Sequence, residues 1–107
     1  VELDREYLES FASRVRESFP GCPSGRERII AEHVCLKYSG RIGRTSAAKK
    51  LDETAVRLAV TAHIRHAETP YDELLATGHE RRHARTQVDE AVRHILSKWK
   101  DPQREMA

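Results

Sequence analysis

The sequence predicts an all-α protein, a compact bundle of about five helices with no sheet. Residues that favour helices (Ala, Glu, Arg, Leu and Lys) are abundant. The 5 glycines and 4 prolines stand mostly between periodic apolar segments, and no stretch alternates β-branched with polar residues as a half-buried strand does. We therefore expect one helical domain over residues 1–107, with its core between about 3 and 100 and a frayed tail at 101–107.

The first two predicted helices differ in how much of their surface is apolar. The first follows Asp4 as N-cap, carries an apolar face from Tyr7 to Val15, turns Arg16 outward, and ends near Pro20. The second begins at a capping-box pattern, Ser24 to Glu27, and ends at Gly40. Apolar residues surround most of this second helix, which predicts a central position: Ile29, Ile30, Ala31, Val34, Cys35, Leu36 and Tyr38.

The remaining three helices are predicted from their start and stop signals. Asp52 is the expected N-cap of the third helix, whose apolar face includes His63. Thr69 is the expected N-cap of a short fourth helix that ends at Gly78, with Pro70 in its first position. The last helix is predicted from about His79 to Lys100, and its buried stripe comprises Ala84, Val88, Ala91, Val92, Ile95 and Trp99.

Composition narrows the class of protein but does not by itself indicate a partner. The chain has 19 Lys and Arg against 17 Asp and Glu, a net charge of +2 that is too small to imply nucleic-acid binding unless it is concentrated. Cys22 and Cys35 are too few for a disulfide framework and favour a reducing compartment. No apolar run approaches the roughly 20 residues of a membrane span, and no signal peptide is recognisable. We expect a soluble, cytoplasmic protein without a membrane partner.

The strongest charge pattern is a basic stretch between the second and third helices. No acidic residue occurs from Lys37 to Lys50, and we call residues 39–50 the Gly-Arg segment. Glycines permit close backbone approach to an anion, and cationic side chains beside free N–H groups favour phosphate. The predicted nucleic-acid or phosphate site comprises Arg41, Gly43, Arg44, Lys49, Lys50 and Arg65. The pattern is not a P-loop, and a solvated basic loop is an equally good interpretation.

A second group of polar residues surrounds the junction of the third and fourth helices. We call it the polar corner: His63, His66, Thr69, Tyr71 and Asp72. A histidine on an apolar face needs a hydrogen-bond partner, so the structural interpretation joins His63 to a carbonyl, to Tyr71 or to Asp72. The alternative brings His63, His66 and Asp72 together as metal ligands or as an acid/base set. The structural interpretation is favoured because no further carboxylates accompany the group.

Two other patterns resemble metal sites and are interpreted as coincidental. His79-Glu80-Arg81-Arg82-His83 matches the zinc-protease motif H-E-x-x-H. Two arginines lie inside it, no third ligand follows, and the pair faces away from the apolar stripe, so a shaped cleft is not expected there. Cys22, His33 and Cys35 lack a fourth zinc ligand, and the two cysteines are interpreted as buried thiols. The sequence assigns no catalytic residue, metal or cofactor.

Several of these residues together resemble the domain-of-unknown-function family twenty-two ninety-three, found in uncharacterised bacterial and fungal proteins. The resemblance covers about Phe19 to Trp99 and includes Ser39 to Arg44, Ala62 to His66, Thr69, Tyr71-Asp72, Leu74-Leu75, Gly78, Ala84-Arg85 and Trp99. The family pattern omits His79 and His83, and it implies no activity. It does imply that one group should be considered together: Arg41, Arg44, His63, Arg65, His66, Tyr71 and Asp72.

Three functions follow as expectations from these patterns. The first is a non-catalytic module that binds nucleic acid or another phosphate-bearing ligand through the Gly-Arg segment. The second is a protein-interaction or homodimerisation module, because a small core leaves apolar helix faces that a partner subunit would cover. The third is a metal-dependent hydrolase around His63, His66 and Asp72. The sequence favours a role that is not enzymatic.

Overall fold

The protein is all-α in the part of the chain that its computed structural model describes, residues 5–38 and 53–101. Within those two ranges there are helices and no strand, which confirms the predicted class. The predictions that concern Asp4, Gly40, Asp52 and the C-terminal tail lie outside the described residues. The two described ranges contain five helices: α1 Arg5–Ser18, α2 Arg26–Tyr38, α3 Glu53–Glu68, α4 Tyr71–Ala76 and α5 Arg81–Lys100.

The third helix, and not the second, is the central one. Helix α3 contacts each of the other four helices, and its residues Val56, Val60 and Ile64 are completely buried. Helix α2 packs mainly on α1 and leaves Ile29 42% and Leu36 59% exposed. The expectation of a central second helix is therefore wrong, because apolar residues on all sides of a helix do not determine which sides a small domain covers.

The core is one cluster to which every helix contributes. Helix α1 packs on α2 and α3, and α3 in turn packs on α5; burial of a large apolar side chain in such a core stabilises a domain by about 1.5–3 kcal/mol. In α5, Ala91 is exposed although the sequence placed it in the buried stripe. The buried apolar residues are Leu8, Phe11, Val15, Phe19, Cys22, Ile30, Ala31, Cys35, Val56, Val60, Ile64, Tyr71, Ala84, Val88, Val92 and Trp99.

Arg16 organises the turn between α1 and α2. Its Nη1 donates to the carbonyls of Pro20 at 3.1 Å and Cys22 at 2.5 Å. Its Nη2 donates to the carbonyl of Pro23 at 3.3 Å and to Oε1 of Glu27 at 2.6 Å. The sequence placed this arginine on the solvent side, whereas its side chain is only 34% exposed. Five donors in a planar fork suit a turn whose carbonyls have no helical partner.

Glu27 completes this turn from the first turn of α2. Its carboxylate accepts from the N–H of Gly25 at 3.1 Å. The predicted capping box placed this hydrogen bond one residue earlier, at Ser24. Partial burial alone raises the pKa of Glu27, but hydrogen bonds from its own backbone and from Arg16 outweigh burial and lower the pKa below the ordinary 4.5. The stability that this carboxylate contributes is complete above about pH 4.5 and is lost as the pH falls through the lowered pKa.

The same turn also packs against the C-terminal end of α5. The N–H of Gly21 donates to the carbonyl of Trp99 at 2.6 Å. A Cβ on Gly21 would lie 2.6 Å from the carbonyl oxygen of Lys98 and 2.9 Å from that of Trp99. This contact satisfies one of the unpaired carbonyls at a helix C-terminus, and only glycine fits between the two backbones.

The short helix α4 is bounded much as the sequence predicted. The hydroxyl of Thr69 accepts from the N–H of Tyr71 at 3.3 Å, although the helix starts at Tyr71 and Pro70 precedes it. At the other end Gly78 has φ +98. Its N–H bonds to the carbonyl of Leu75 at 3.1 Å, and the next N–H bonds to that of Leu74 at 3.0 Å, which is a Schellman motif.

We expect Gly21→Ala to lower the free energy of unfolding by about 1–3 kcal/mol, because the added methyl overlaps the backbone of α5. Urea unfolding followed by circular dichroism measures the change, with Ser24→Ala in the exposed part of the same turn as the control, where a change within about 0.5 kcal/mol is expected. Equal stability of the two variants would contradict this close approach.

Candidate functional site

Only one residue of the predicted phosphate site lies in the described part of the chain. Arg41, Gly43, Arg44, Lys49 and Lys50 fall in 39–52, outside the described residues. Arg65 is half-buried on α3, and its guanidinium carbon lies 5.8 Å from the centre of the Tyr71 ring. That distance is within the range of a cation–π contact, so Arg65 packs against α4 as well as presenting a charge.

The polar corner divides into two groups with different partners. Helix α3 ends where α4 begins, so His66 on the last turn meets the first turn of α4. Nδ1 of His66 donates to Oδ1 of Asp72 at 2.6 Å, and its ring stands edge-on to the Tyr71 ring at 5.2 Å. Both members of the pair are exposed, whereas Tyr71 is buried. Asp72 therefore orients the imidazole of His66 by its hydrogen bond, and the buried Tyr71 ring packs against that imidazole.

The other histidine of the corner contacts α2 and α5. Nε2 of His63 lies 3.4 Å from Nη1 of Arg26, which begins α2. The His63 ring lies 6.4 Å from the His33 ring and 6.3 Å from the Trp99 ring. Arg26 also forms an ion pair with Glu68. We call these five residues, Arg26, His33, His63, Glu68 and Trp99, the His63 cluster.

Hydrogen-bond chemistry determines the tautomer of His63. A guanidinium only donates, so Nε2 of His63 accepts from Arg26 and the neutral ring carries its proton on Nδ1. Burial lowers the pKa of His63 most, the charges of Arg26 and His33 lower it further, and Glu68 partly opposes them. His63 is therefore neutral at pH 7. It is 9% exposed, and its partner is Arg26 rather than Tyr71 or Asp72.

The H-E-x-x-H motif does not form a zinc-protease site in this fold. His79 precedes α5, which starts at Arg81 rather than at His79, and its Nδ1 lies 3.0 Å from the carbonyl oxygen of Leu74. The rings of His79 and His83 are stacked, 5.8 Å apart and inclined by 10°, so one ion cannot lie in both ring planes. Across the two described ranges, no three His, Cys, Asp or Glu side chains come together as metal ligands.

Sequence reasoning missed two members of the His63 cluster, Arg26 and Glu68. Arg26 lies within the predicted capping box, but its partner Glu68 is 42 positions away along the chain. Sequence rules for helix caps relate only residues a few positions apart, so they could not predict this pair. Glu68 did carry a signal, because a carboxylate in the last turn of a helix opposes the helix dipole unless a cation accompanies it. The thiols of Cys22 and Cys35 are buried, as expected.

The contacts of the His63 cluster show how α2 and α3 run relative to each other. Arg26 at the start of α2 meets Glu68 at the end of α3, and His33 further along α2 meets His63 further back along α3. The two helices are therefore antiparallel along this contact. With a rise of about 1.5 Å per residue, Arg65 lies about 18 Å from Glu53. The ends that flank the Gly-Arg segment, Tyr38 and Glu53, point away from the polar corner.

Comparison with known proteins identifies a family. The family model described as uncharacterized conserved protein (DUF2293) matches residues 14–100, which confirms the resemblance seen in the sequence. No curated protein and no solved structure matches the chain. Among the described helices, none combines the length and the apolar character that crossing a membrane would require.

The two ion pairs near the corner should differ in strength. We expect a coupling energy of about 1–2 kcal/mol between Arg26→Met and Glu68→Gln, because both side chains are two-thirds or more buried. The exposed pair, tested with His66→Gln and Asp72→Asn, should give less than about 1 kcal/mol. Double-mutant cycles from urea unfolding measure both energies, and an equal or reversed ranking would contradict the assigned burial.

Proposed function

The chain belongs to the DUF2293 family of uncharacterized conserved proteins, and on that premise we propose that it is a non-catalytic helical module that binds nucleic acid or another phosphate-bearing ligand through its Gly-Arg segment. We propose no cofactor. We also propose a cytoplasmic location, because two cysteines are too few for a disulfide framework and favour a reducing compartment. The observation that carries the binding proposal is the segregation of charge along the chain.

The positive charge of the protein is concentrated in one stretch. Residues 37–50 hold five of the 19 basic residues and none of the 17 acidic ones. The rest of the chain thus has 14 basic and 17 acidic residues, a net charge of −3. A nearly neutral protein that keeps its positive charge in one segment attracts a polyanion there, while the remainder repels it.

The ion pairs of the described helices are consistent with this separation of charge between residues 37–50 and the rest of the chain. Five arginines of the described helices are paired with carboxylates of the same chain: Arg14 with Glu17, Arg16 with Glu27, Arg26 with Glu68, Arg28 with Glu32 and Arg93 with Asp89. Arg16 and Arg26 are the less exposed of these, at 34% and 33%, and they serve the fold rather than a ligand.

The orientation of α2 and α3 separates the residues that flank the Gly-Arg segment from the acidic residues at the other end of these helices. The residues that flank the segment, Tyr38 and Glu53, belong to the ends of α2 and α3 that point away from Glu68 and Asp72, so Glu68 lies about 22 Å from Glu53 along α3. Phosphate contacts come from Arg41, Arg44, Lys49 and Lys50, and Gly43 permits close backbone approach. Arg65 adds a contact only with a ligand that extends along α3.

Binding of a labelled duplex and a labelled single strand, measured by fluorescence anisotropy over a range of salt concentrations, tests the proposal. Each phosphate contact contributes about −0.9 to the slope of log K against log salt for a duplex. Replacing Arg41, Arg44, Lys49 and Lys50 with Gln should weaken binding at least tenfold and reduce the slope by about 3–4.

A matched control removes the same charge from the folded helices. Arg5, Arg82, Arg85 and Lys98 are exposed on α1 and α5, and they form no ion pair with the other described residues. Replacing these four with Gln should leave the slope within about 1 of the unmodified protein. Absence of binding at low salt, or equal losses in both variants, would refute the proposal.

A homodimerisation module is the second candidate, and exposed apolar side chains favour it. Ile29, Leu36 and Leu58 are 42%, 59% and 62% exposed, and the first two lie two turns apart on one side of α2. The metal-dependent hydrolase has no comparable support, because His63 contacts Arg26 while His66 contacts Asp72.

If the chain forms a dimer through this face, Leu36→Glu should weaken the dimer by at least tenfold, since burying an unpaired carboxylate costs several kcal/mol. Sedimentation equilibrium measures the dissociation constant. His94→Glu, which places the same charge on an exposed position of α5, is the control and should have no effect. A wild-type protein that remains monomeric at high concentration would exclude this candidate.

A further inference from the structure

His63 lies where three helices meet, and its charged surroundings are almost all positive. Arg26 and His33 face it from α2, Glu68 and His66 belong to its own helix, and α5 contributes the uncharged Trp99 ring. The only carboxylate of this group, Glu68, is already paired with Arg26. We propose that His63 is the proton-sensing residue of a conformational switch that releases the N-terminal end of α2 from α3 in acid.

Protonation changes the contact between His63 and Arg26 from attraction to repulsion. The neutral ring accepts a hydrogen bond from Arg26 through Nε2 at 3.4 Å, but the imidazolium has donors on both nitrogens and no acceptor. A second cation then stands beside the guanidinium and competes with it for Glu68. One carboxylate cannot neutralise both the buried imidazolium and the half-buried guanidinium, so the Arg26–Glu68 pair weakens when His63 is charged.

The pH at which the switch operates follows from the direction of the shift. The pKa of His63 is lowered from 6.5 by burial and by the charges of Arg26 and His33. The contact is therefore complete above about pH 6.5 and is lost as the pH falls through the lowered pKa. Each unit of that shift corresponds to a tenfold increase in the equilibrium constant for opening in acid.

The opening is confined to one end of α2 because other contacts hold the rest of the molecule. Further along the same helix, Ile30 and Ala31 are completely buried in the core. The bond from Gly21 to the Trp99 carbonyl involves no titratable side chain. Protonation of His63 acts directly on Arg26 and leaves both of these attachments in place.

Two measurements on the full chain detect the switch. Trp99 is the single tryptophan and its ring lies 6.3 Å from that of His63, so its fluorescence should follow protonation with a midpoint below 6.5. Hydrogen exchange, corrected for its intrinsic pH dependence, should show at least tenfold faster exchange for residues 26–29 below the midpoint, with α1, α3 and α5 unchanged.

Variants separate His63 from the other histidines. His63→Gln keeps an acceptor for Arg26 but cannot take a proton, and it should abolish the acid response. His94→Gln, at an exposed position of α5, should leave the response unchanged. His33→Gln removes a like charge and should move the midpoint upward, and this shift decides the question if His63→Gln does not fold.

Three results would overturn the inference. One is exchange at 26–29 that stays constant through the transition. Another is an acid response that persists in His63→Gln. If His63→Gln does not fold, the corresponding result is a midpoint that does not move in His33→Gln. The last is simultaneous loss of protection in all helices, because that outcome is global unfolding and not a local switch.

Discussion

The antiparallel contact of α2 with α3, made by the Arg26–Glu68 ion pair beside neutral His63, determines where the polar corner lies relative to the residues that flank the Gly-Arg segment. It brings the start of one helix to the end of the other, so the polar corner lies at one end of the pair. The flanks of the Gly-Arg segment then lie toward the opposite end. A half-buried cation, a half-buried carboxylate and a buried imidazole stabilise this arrangement as a set, because any one left alone would be a partly desolvated polar group without a partner.

Two groups of cations in this protein differ in how close acidic residues are to them. Arg16 and Arg26 are half-buried and satisfy carbonyls or carboxylates, and their guanidinium geometry suits several acceptors at once. Residues 37–50 contain five cations and no acidic residue. This contrast, more than the overall net charge, is the reason for proposing a polyanionic ligand.

Local chemistry explains which elements could be predicted. Gly78 ends α4 in a Schellman motif as predicted, because turn signals depend on residues close in sequence. The start of α4 was predicted one residue too early: Pro70 and not Thr69 is at the N-cap position, although the Thr69 hydroxyl accepts from the N–H of Tyr71. Helix boundaries in the structure differ from the predicted ones by one or two residues where two start signals compete. Glu27 bonds to Gly25 instead of Ser24, and α5 begins after His79, which is also why the H-E-x-x-H pattern does not lie on one helix.

The amino-acid sequence by itself determined the helical class, the family, the approximate helix limits and the acid-free segment, since these depend on periodicity, caps and charge order. Only the tertiary structure decided that α3 is central, that Arg16 is held in a turn, and that His63 and His66 serve different neighbours. Those outcomes depend on which faces become buried together. Pairs such as Arg26 with Glu68 and Gly21 with Trp99 are brought together by packing of the whole domain, and no rule that operates over one or two helical turns relates them.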